Sequence, residues 1–276
     1  MYAALANAAA RTCRSPHLAF AFNYTQLPDG PLRRLQRYAF RFVDRFVVFS
    51  TMERTLYADF FGIDPQRIEM IHWAVKPPQP ADGERPLVAD EYICAVGSQG
   101  RDYAVLVEAM KALPSIRLVI VATREAMRGI ESIPSNVEVR SSIPPHEATN
   151  IIANSRFMVL PLCGRDVPCG HVTMVTGMHL SKAIIATASS GIADYIKDGV
   201  NGRTVNACDP QTLAAVIAEL VESPQAYRRL AEAGRLFAQS HCSEDNAVRY
   251  FAQVLPKLLA DRDEPFDARP SWAASR

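Results

Sequence analysis

The sequence predicts an α/β protein: a doubly wound parallel sheet as the carboxy-terminal domain, with an incomplete α/β unit ahead of it. Two observations carry this. Beyond residue 90, short continuous apolar runs alternate with amphipathic stretches, the pattern of strands buried on both faces and covered by helices. Upstream, a strand–helix–strand pattern stands apart, cut off by the charged, proline-rich run Lys76-Pro77-Pro78-Gln79-Pro80 to Pro86, which has little apolar periodicity and reads as a linker. The implied domains are 1–77, 78–240 and, for a last helix and tail, 241–276.

In chain order, Leu18 to Tyr24 and Phe46 to Ser50 read as short buried strands around a basic helix from Pro31 to Asp44. Thr51 is placed to cap the next helix, with Glu53 and Arg54 in its first turn and Gly62 at its end; Ile68 to Ile71 follows as a strand. In the second domain, strands at Tyr92–Val96, Leu118–Val121, Val137–Val139, Phe157–Leu160 and Ala183–Thr187 alternate with helices beginning after Arg101, Pro145, His171 and Ile192. The stripe Leu213, Val216, Ile217, Leu220 and Val221 marks a helix over Pro210–Glu222, Pro224 restarts one, and Glu244 to Leu259 forms the last. From Asp261 the charged, proline-containing composition predicts a frayed tail.

Composition narrows the function. With 276 residues, 49% of them hydrophobic, the chain can bury a sizeable core, and a formal net charge of +1 supplies no global field to gather nucleic acid. Six scattered cysteines in a chain of this size point to a reducing cytosol rather than a disulfide scaffold. The apolar start from Met1 to Ala10 lacks a basic leader and is interrupted by Arg11 and Arg14, so neither a signal peptide nor a spanning helix is expected. The expected location is cytoplasmic. On the helix near residue 35, Arg33, Arg37 and Arg41, with Arg34 beside them and aromatics interleaved, suggest a peripheral contact with anionic lipid; a solvated helix face accounts for the same residues.

Two glycine turns carry the candidate chemistry. Gly170-His171-Val172-Thr173 opens a helix after an apolar strand, and Gly97-Ser98-Gln99-Gly100-Arg101-Asp102 does the same upstream. A glycine at such a turn lets an anion approach unpaired amides, which the helix dipole favours. In a parallel sheet both turns fall beyond the carboxyl ends of the strands, so they can share one diphosphate. Arg101 would supply the guanidinium, Gly97, Ser98 and Gly100 the close backbone, and His171, Thr173 and Thr176 ring and hydroxyl contacts beside the Val172 amide. A bare turn with a solvated arginine, and a merely packed histidine, read these residues without a ligand. Cys163, Cys169, His171 and His179 invite a zinc reading, but they lack paired CxxC or HxxxH spacing, so no metal is expected.

The run from Cys169-Gly170-His171 through Ser181-Lys182-Ala183-Ile184-Ile185-Ala186-Thr187 to Gly191-Ile192-Ala193-Asp194-Tyr195-Ile196-Lys197-Asp198-Gly199-Val200-Asn201-Gly202 resembles the carboxy-terminal domain of GT-B glycosyltransferases of the family 4 type. Val96-Gly97 followed by Arg101-Asp102-Tyr103 resembles the family's first strand and phosphate-contacting base. The resemblance covers about residues 37–255, most convincingly 92–222. It implies a Rossmann-like domain holding a nucleotide-diphosphate sugar as donor substrate, with no separate cofactor, and transfer to a carbohydrate or lipid-linked hydroxyl with retained anomeric configuration. Arg101 and His171 would be the catalytic residues, while His17 or Asn23, from the amino-terminal domain, would face the acceptor. Three departures stand out. Pro168 and Thr176 occupy the positions of the family's paired glutamates, Ser98 replaces its first arginine, and only about 75 residues precede the linker. The short first domain implies a truncated chain, or one completed by a copy of itself or by a partner subunit. An inactive donor-binding or scaffold subunit and a sugar-nucleotide epimerase therefore stand as alternatives to the transferase.

Overall fold

The computed structural model describes Ala4 and residues 15–20, 22–24, 26–78, 85–164 and 168–260. The expectations for the leader, the centre of the linker and the tail beyond residue 260 lie outside the described residues. The chain divides into two compact units, one of residues 1–72 and 245–276, the other of residues 73–244. The last helix thus groups with the amino-terminal residues, where the sequence suggested a separate segment.

The first unit is built on a three-stranded parallel sheet in the order β1-β2-β3: β1 Leu18–Ala19, β2 Arg45–Val48 and β3 Ile68–Met70. Helix α1 spans Gly30–Ala39, shorter than the expected Pro31–Asp44 because Phe40–Phe42 tighten into a 3-10 turn. Helix α2, Thr51–Phe61, starts one residue earlier than its expected cap: Ser50 is the N-cap and accepts from the Glu53 amide at 3.2 Å, and Gly62 closes the helix in the left-handed region. Phe22 lies at the centre of an aromatic core, with ring centroids 4.9 Å from Phe46, 5.1 Å from Phe40 and 5.1 Å from Tyr57.

The arginines of α1 divide by direction. Arg33 donates to the Phe60 carbonyl at 3.0 Å and lies over the Phe60 ring, while Arg37 donates to the Phe61 carbonyl at 3.1 Å. Both are drawn to the last carbonyls of α2, which have no helical partners and carry the negative end of its dipole. Arg33 is half-buried there, while Arg37, like Arg34 and Arg41, stays exposed.

The second unit is a six-stranded sheet, all parallel, in the order β6-β5-β4-β7-β8-β9. Its strands are β4 Ile93–Val96, β5 Leu118–Val121, β6 Val137–Arg140, β7 Met158–Leu160, β8 Ile184–Thr187 and β9 Arg203–Val205. Alternate strand residues feed two separate cores. Ile93, Ile120, Val159 and Ile185 pack under α3 (Tyr103–Lys111) and α6 (Pro210–Glu222). Cys94, Val119, Leu160 and Ile184 pack under α4 (Pro145–Asn154) and α5 (His171–His179). Helix α7, Pro224–His241, contributes Leu230 to the first core and Ala238 to the second. Covered faces on both sides are the doubly wound arrangement that the apolar runs predicted.

Two elements differ from expectation. No helix follows Ile192; residues 192–200 form turns. Asn201 holds them, its side chain accepting from the Lys197 amide at 2.8 Å and donating to the Tyr195 carbonyl at 2.8 Å. Strand β9 was not anticipated, because three residues with two polar side chains give no apolar run. The final helix, α8, spans Glu244–Ala260.

Candidate functional site

Strand β4 is central, and the chain leaves it toward β5 on one side and returns to β7 on the other. The carboxyl ends of β4 and β7 therefore flank the point where strand order reverses, the place where a crevice opens in such sheets. The loop 97–102 follows β4 and the segment from Pro161 to Gly170 follows β7, of which residues 165–167 lie outside the described set.

The two segments are joined. The Asp102 amide donates to the Pro161 carbonyl at 3.0 Å, the Cys163 amide donates to the Gly100 carbonyl at 3.0 Å, and Arg101 and Leu162 form an antiparallel bridge. Neighbouring strands fasten the pair: Ser98 Oγ accepts from the Thr123 amide, and buried Thr187 Oγ1 accepts from the Leu162 amide, each at 2.8 Å. Tyr103 donates its hydroxyl to the Gly97 carbonyl, and Asp102 caps α3 by accepting from the Val105 amide.

Arg101 lies along the floor of this junction. Its Nη1 donates to the Gln99 carbonyl at 2.9 Å and lies 3.9 Å from Cys169 Sγ, and Nη2 is 3.5 Å from the Val96 carbonyl. Gly97 has φ +113°, and a Cβ there would sit 2.7 Å from Arg101 Nη2, so the glycine supplies both an unusual backbone angle and room for the guanidinium. Among the described residues Arg101 has carbonyl and thiol neighbours and no ion-paired carboxylate. Burial pushes the Cys169 thiol above its usual range, outweighing the pull of Arg101, so it stays neutral and leaves the positive charge uncompensated.

Cys169 links Arg101 to the second turn. Gly170, at φ +98°, is the N-cap of α5 and packs so that a Cβ would meet Leu160 Cδ2 at 3.2 Å; its carbonyl accepts from the Met174 amide at 2.9 Å. No side chain caps this end and no acidic residue lies in the first turn, so the amides of Val172 and Thr173 and the positive end of the dipole open onto the junction. Val172 is exposed, and Thr173 and Thr176 are half-buried on the same helix. The His171 ring is buried, lies tilted against Tyr195 with centroids 4.9 Å apart, and its Nε2 lies 2.8 Å from the Gly191 carbonyl. A carbonyl only accepts, so Nε2 carries the proton.

Gly97, Ser98, Gly100, Arg101, Gly170, Val172, Thr173 and Thr176 thus share one end of the second unit. His17 and Asn23 belong to the first. His17 precedes β1, at the amino end of its sheet, where its amide donates to Asp44 Oδ2 at 2.8 Å and its carbonyl accepts from the Asp44 and Arg45 amides. Asn23 does lie at the carboxyl end and donates to Glu53 Oε1 at 3.1 Å. Cys163 and Cys169 both lie near Arg101, while His179 Nε2 lies 3.3 Å from the Cys242 carbonyl; among the described residues no three metal-ligating side chains converge. Sequence reasoning weighed Cys169 only as a metal ligand and passed over its contact with Arg101. Its position directly before the glycine turn was the available signal.

With this geometry in hand, residues 91–223 match the family described as glycosyl transferases group 1. Over these residues, just under half of the chain, the protein is similar to the group 1 glycosyltransferases. A curated relative, the uncharacterized glycosyltransferase MJ1178 of Methanocaldococcus jannaschii, is 30% identical over 105 residues, 38% of this chain and 29% of that protein. The alignment therefore spans less than a third of the relative's length. Among solved structures, Anabaena HepE in complex with UDP-glucose superposes with a TM-score of 0.74 at 15% identity, covering 88% of this chain and 72% of that one. Sucrose-phosphate synthase from Thermosynechococcus elongatus gives 0.73 at 20% identity, covering 87% and 65%. These likenesses establish a GT-B fold. Both glycine turns of the group 1 domain fall inside the matched residues.

Proposed function

We propose that the chain is a glycosyltransferase that takes a nucleotide-diphosphate sugar and transfers the sugar, with retained anomeric configuration, to a hydroxyl of a carbohydrate or lipid-linked acceptor. The observation that carries this reading is the Arg101 guanidinium at the β4/β7 reversal, without an ion-paired carboxylate among the described residues and held beside the Gly170 amino end of α5. HepE, similar in fold, holds UDP-glucose. In the reaction the bond between the sugar C1 and the diphosphate oxygen breaks, a bond from the acceptor oxygen to C1 forms, and the acceptor's proton leaves with the diphosphate. Negative charge grows on the departing oxygens. Arg101 and the Val172 and Thr173 amides are fixed donors for that charge, and fixed donors lower a barrier without reorganisation.

His171 acts in this scheme by setting the pitch of the Gly170 turn against the Gly191 loop. Thr176 and Pro168 stand where the family carries carboxylates, so the ribose grip rests on a hydroxyl and main chain. That substitution favours a second reading, a donor-binding subunit that does not turn over alone. Calorimetric titration with uridine, guanosine and adenosine diphosphates tests the common core: one of them binds, and Arg101→Ala weakens it by about 10- to 100-fold, the value of one charge-assisted hydrogen bond. Equal affinity in the variant removes the proposal. Acceptor-dependent turnover with the matching sugar nucleotide then separates transferase from binding subunit, and acceptor-independent conversion of the donor marks an epimerase.

A further inference from the structure

We propose that the outward face of α1 is a docking surface for an anionic phospholipid bilayer. The face lies wholly in the first unit, so the proposal stands or falls apart from the nucleotide site.

Helical spacing places Pro31, Leu35 and Tyr38 in one row, at i, i+4 and i+7. Leu35 is 42% exposed and Tyr38 50%, and Leu32, on the flank, 47%. Large apolar side chains scattered singly on a surface need no explanation, but a row of them on one short helix does. Tyr38 meets the Phe42 ring at 5.4 Å, which continues the apolar row into the 3-10 turn and gives it an aromatic with a polar tip, suited to the headgroup level.

Charge selects the occupant. From Gly30 to Val43 the chain carries four arginines and no acidic residue. Arg33 and Arg37 donate to the α2 carbonyls, Arg37 while still exposed, and Arg34 and Arg41, seven residues apart and also exposed, run along the border of the apolar row. An apolar stripe bordered by guanidiniums on an otherwise polar helix is the pattern of a helix lying in the plane of an interface, its side chains in the acyl boundary and its cations among phosphates. A purely apolar partner would leave the positive border unanswered.

Vesicle sedimentation of the full chain tests this. At about 0.1 M salt the protein is expected to pellet with vesicles of phosphatidylglycerol and phosphatidylcholine and to stay in solution with phosphatidylcholine alone. Arg34→Glu with Arg41→Glu weakens partitioning by roughly 30-fold or more, about fivefold per lost positive charge before repulsion is counted. Leu35→Asp with Tyr38→Asp abolishes it at unchanged thermal midpoint. Arg33 and Arg37 stay untouched, because their loss would damage α2. Failure of the parent chain to pellet with the anionic vesicles, equal pelleting on both vesicle types, or pelleting unaffected by either pair overturns the proposal. So does a concentration-dependent dimer that dissociates in Leu35→Asp/Tyr38→Asp, which would assign the face to a second copy.

Discussion

At the scale of single residues, the candidate site depends on one positive charge and on what surrounds it. A guanidinium near carbonyl dipoles and a neutral thiol is oriented without being neutralised, and an arriving phosphate meets its full charge. Cys169 is the lever for testing this. Cys169→Ser keeps a small neutral group and should leave nucleotide-diphosphate affinity within about threefold, whereas Cys169→Asp places a carboxylate on Arg101 and should reduce affinity by about 100-fold. Titration calorimetry of the two variants distinguishes orientation from charge; equal losses would mean that Arg101 is not the phosphate's partner. Glu53 offers a second test, in the other unit. Its carboxyl is fully buried, accepting from Ser50 Oγ at 2.8 Å and the Phe49 amide at 3.2 Å, yet burial outweighs these bonds and pushes its pKa up to about 7. A carboxyl raised in the folded state holds its proton where the unfolded chain has released it. Its contribution is full below the ordinary carboxylate range and is lost as pH climbs through about 7, a loss of about 3 kcal/mol at most. The urea midpoint of the first unit should therefore fall between about pH 5 and pH 8, and Glu53→Gln should flatten that fall.

At the scale of elements, the parts most legible from sequence were those whose signal is local and apolar. Strands β5 and β8 each present four consecutive buried residues and β4 three, and helix α6 carries its stripe, so the apolar pattern alone located them. Both glycine turns were legible for the same reason, each standing at the end of an apolar run. What escaped were features set by partners distant in the chain: the Cys169–Arg101 contact, the hydrogen bonds of Arg33 and Arg37 to the α2 carbonyls, and the burial of the His171 ring against residue 191. The segment 191–202 is instructive, because it carries the closest family resemblance and yet its polar side chains serve the fold. Asn201 ties back to Tyr195 and Lys197, and Asp198 Oδ1 accepts from the Thr204 amide at 2.7 Å, leading the chain into β9. Gly202 sits where a Cβ would meet Ile196 Cγ2 at 2.9 Å and the Ile184 carbonyl at 3.0 Å, and the main chain of β8 cannot yield. Gly202→Ala should cost about 1–3 kcal/mol in denaturant unfolding, with affinity for nucleotide diphosphates unchanged in the fraction that remains folded.

At the scale of the whole molecule, the two units have separate cores, one aromatic and centred on Phe22, the others aliphatic on the two faces of the six-stranded sheet. The proposed phosphate site draws all its residues from the second. A ligand that binds only the folded form of that unit adds its binding free energy to that unit's opening reactions, about 2.7 kcal/mol at a hundredfold excess over Kd. Hydrogen exchange makes this visible residue by residue. A bound nucleotide diphosphate should slow the slowest amides of β4, α3 and α5 by roughly 100-fold, since 1.4 kcal/mol is a factor of ten, and leave the amides of β2 and α2 at their free rates. Local protection confined to the Gly97 and Gly170 turns would mean that these amides exchange through small openings in which the ligand is still held. Equal slowing of β2 and α2 would show that the units open as one cooperative body. Slowing in β2 and α2 alone would move the nucleotide site into the first unit and remove Arg101 from the chemistry.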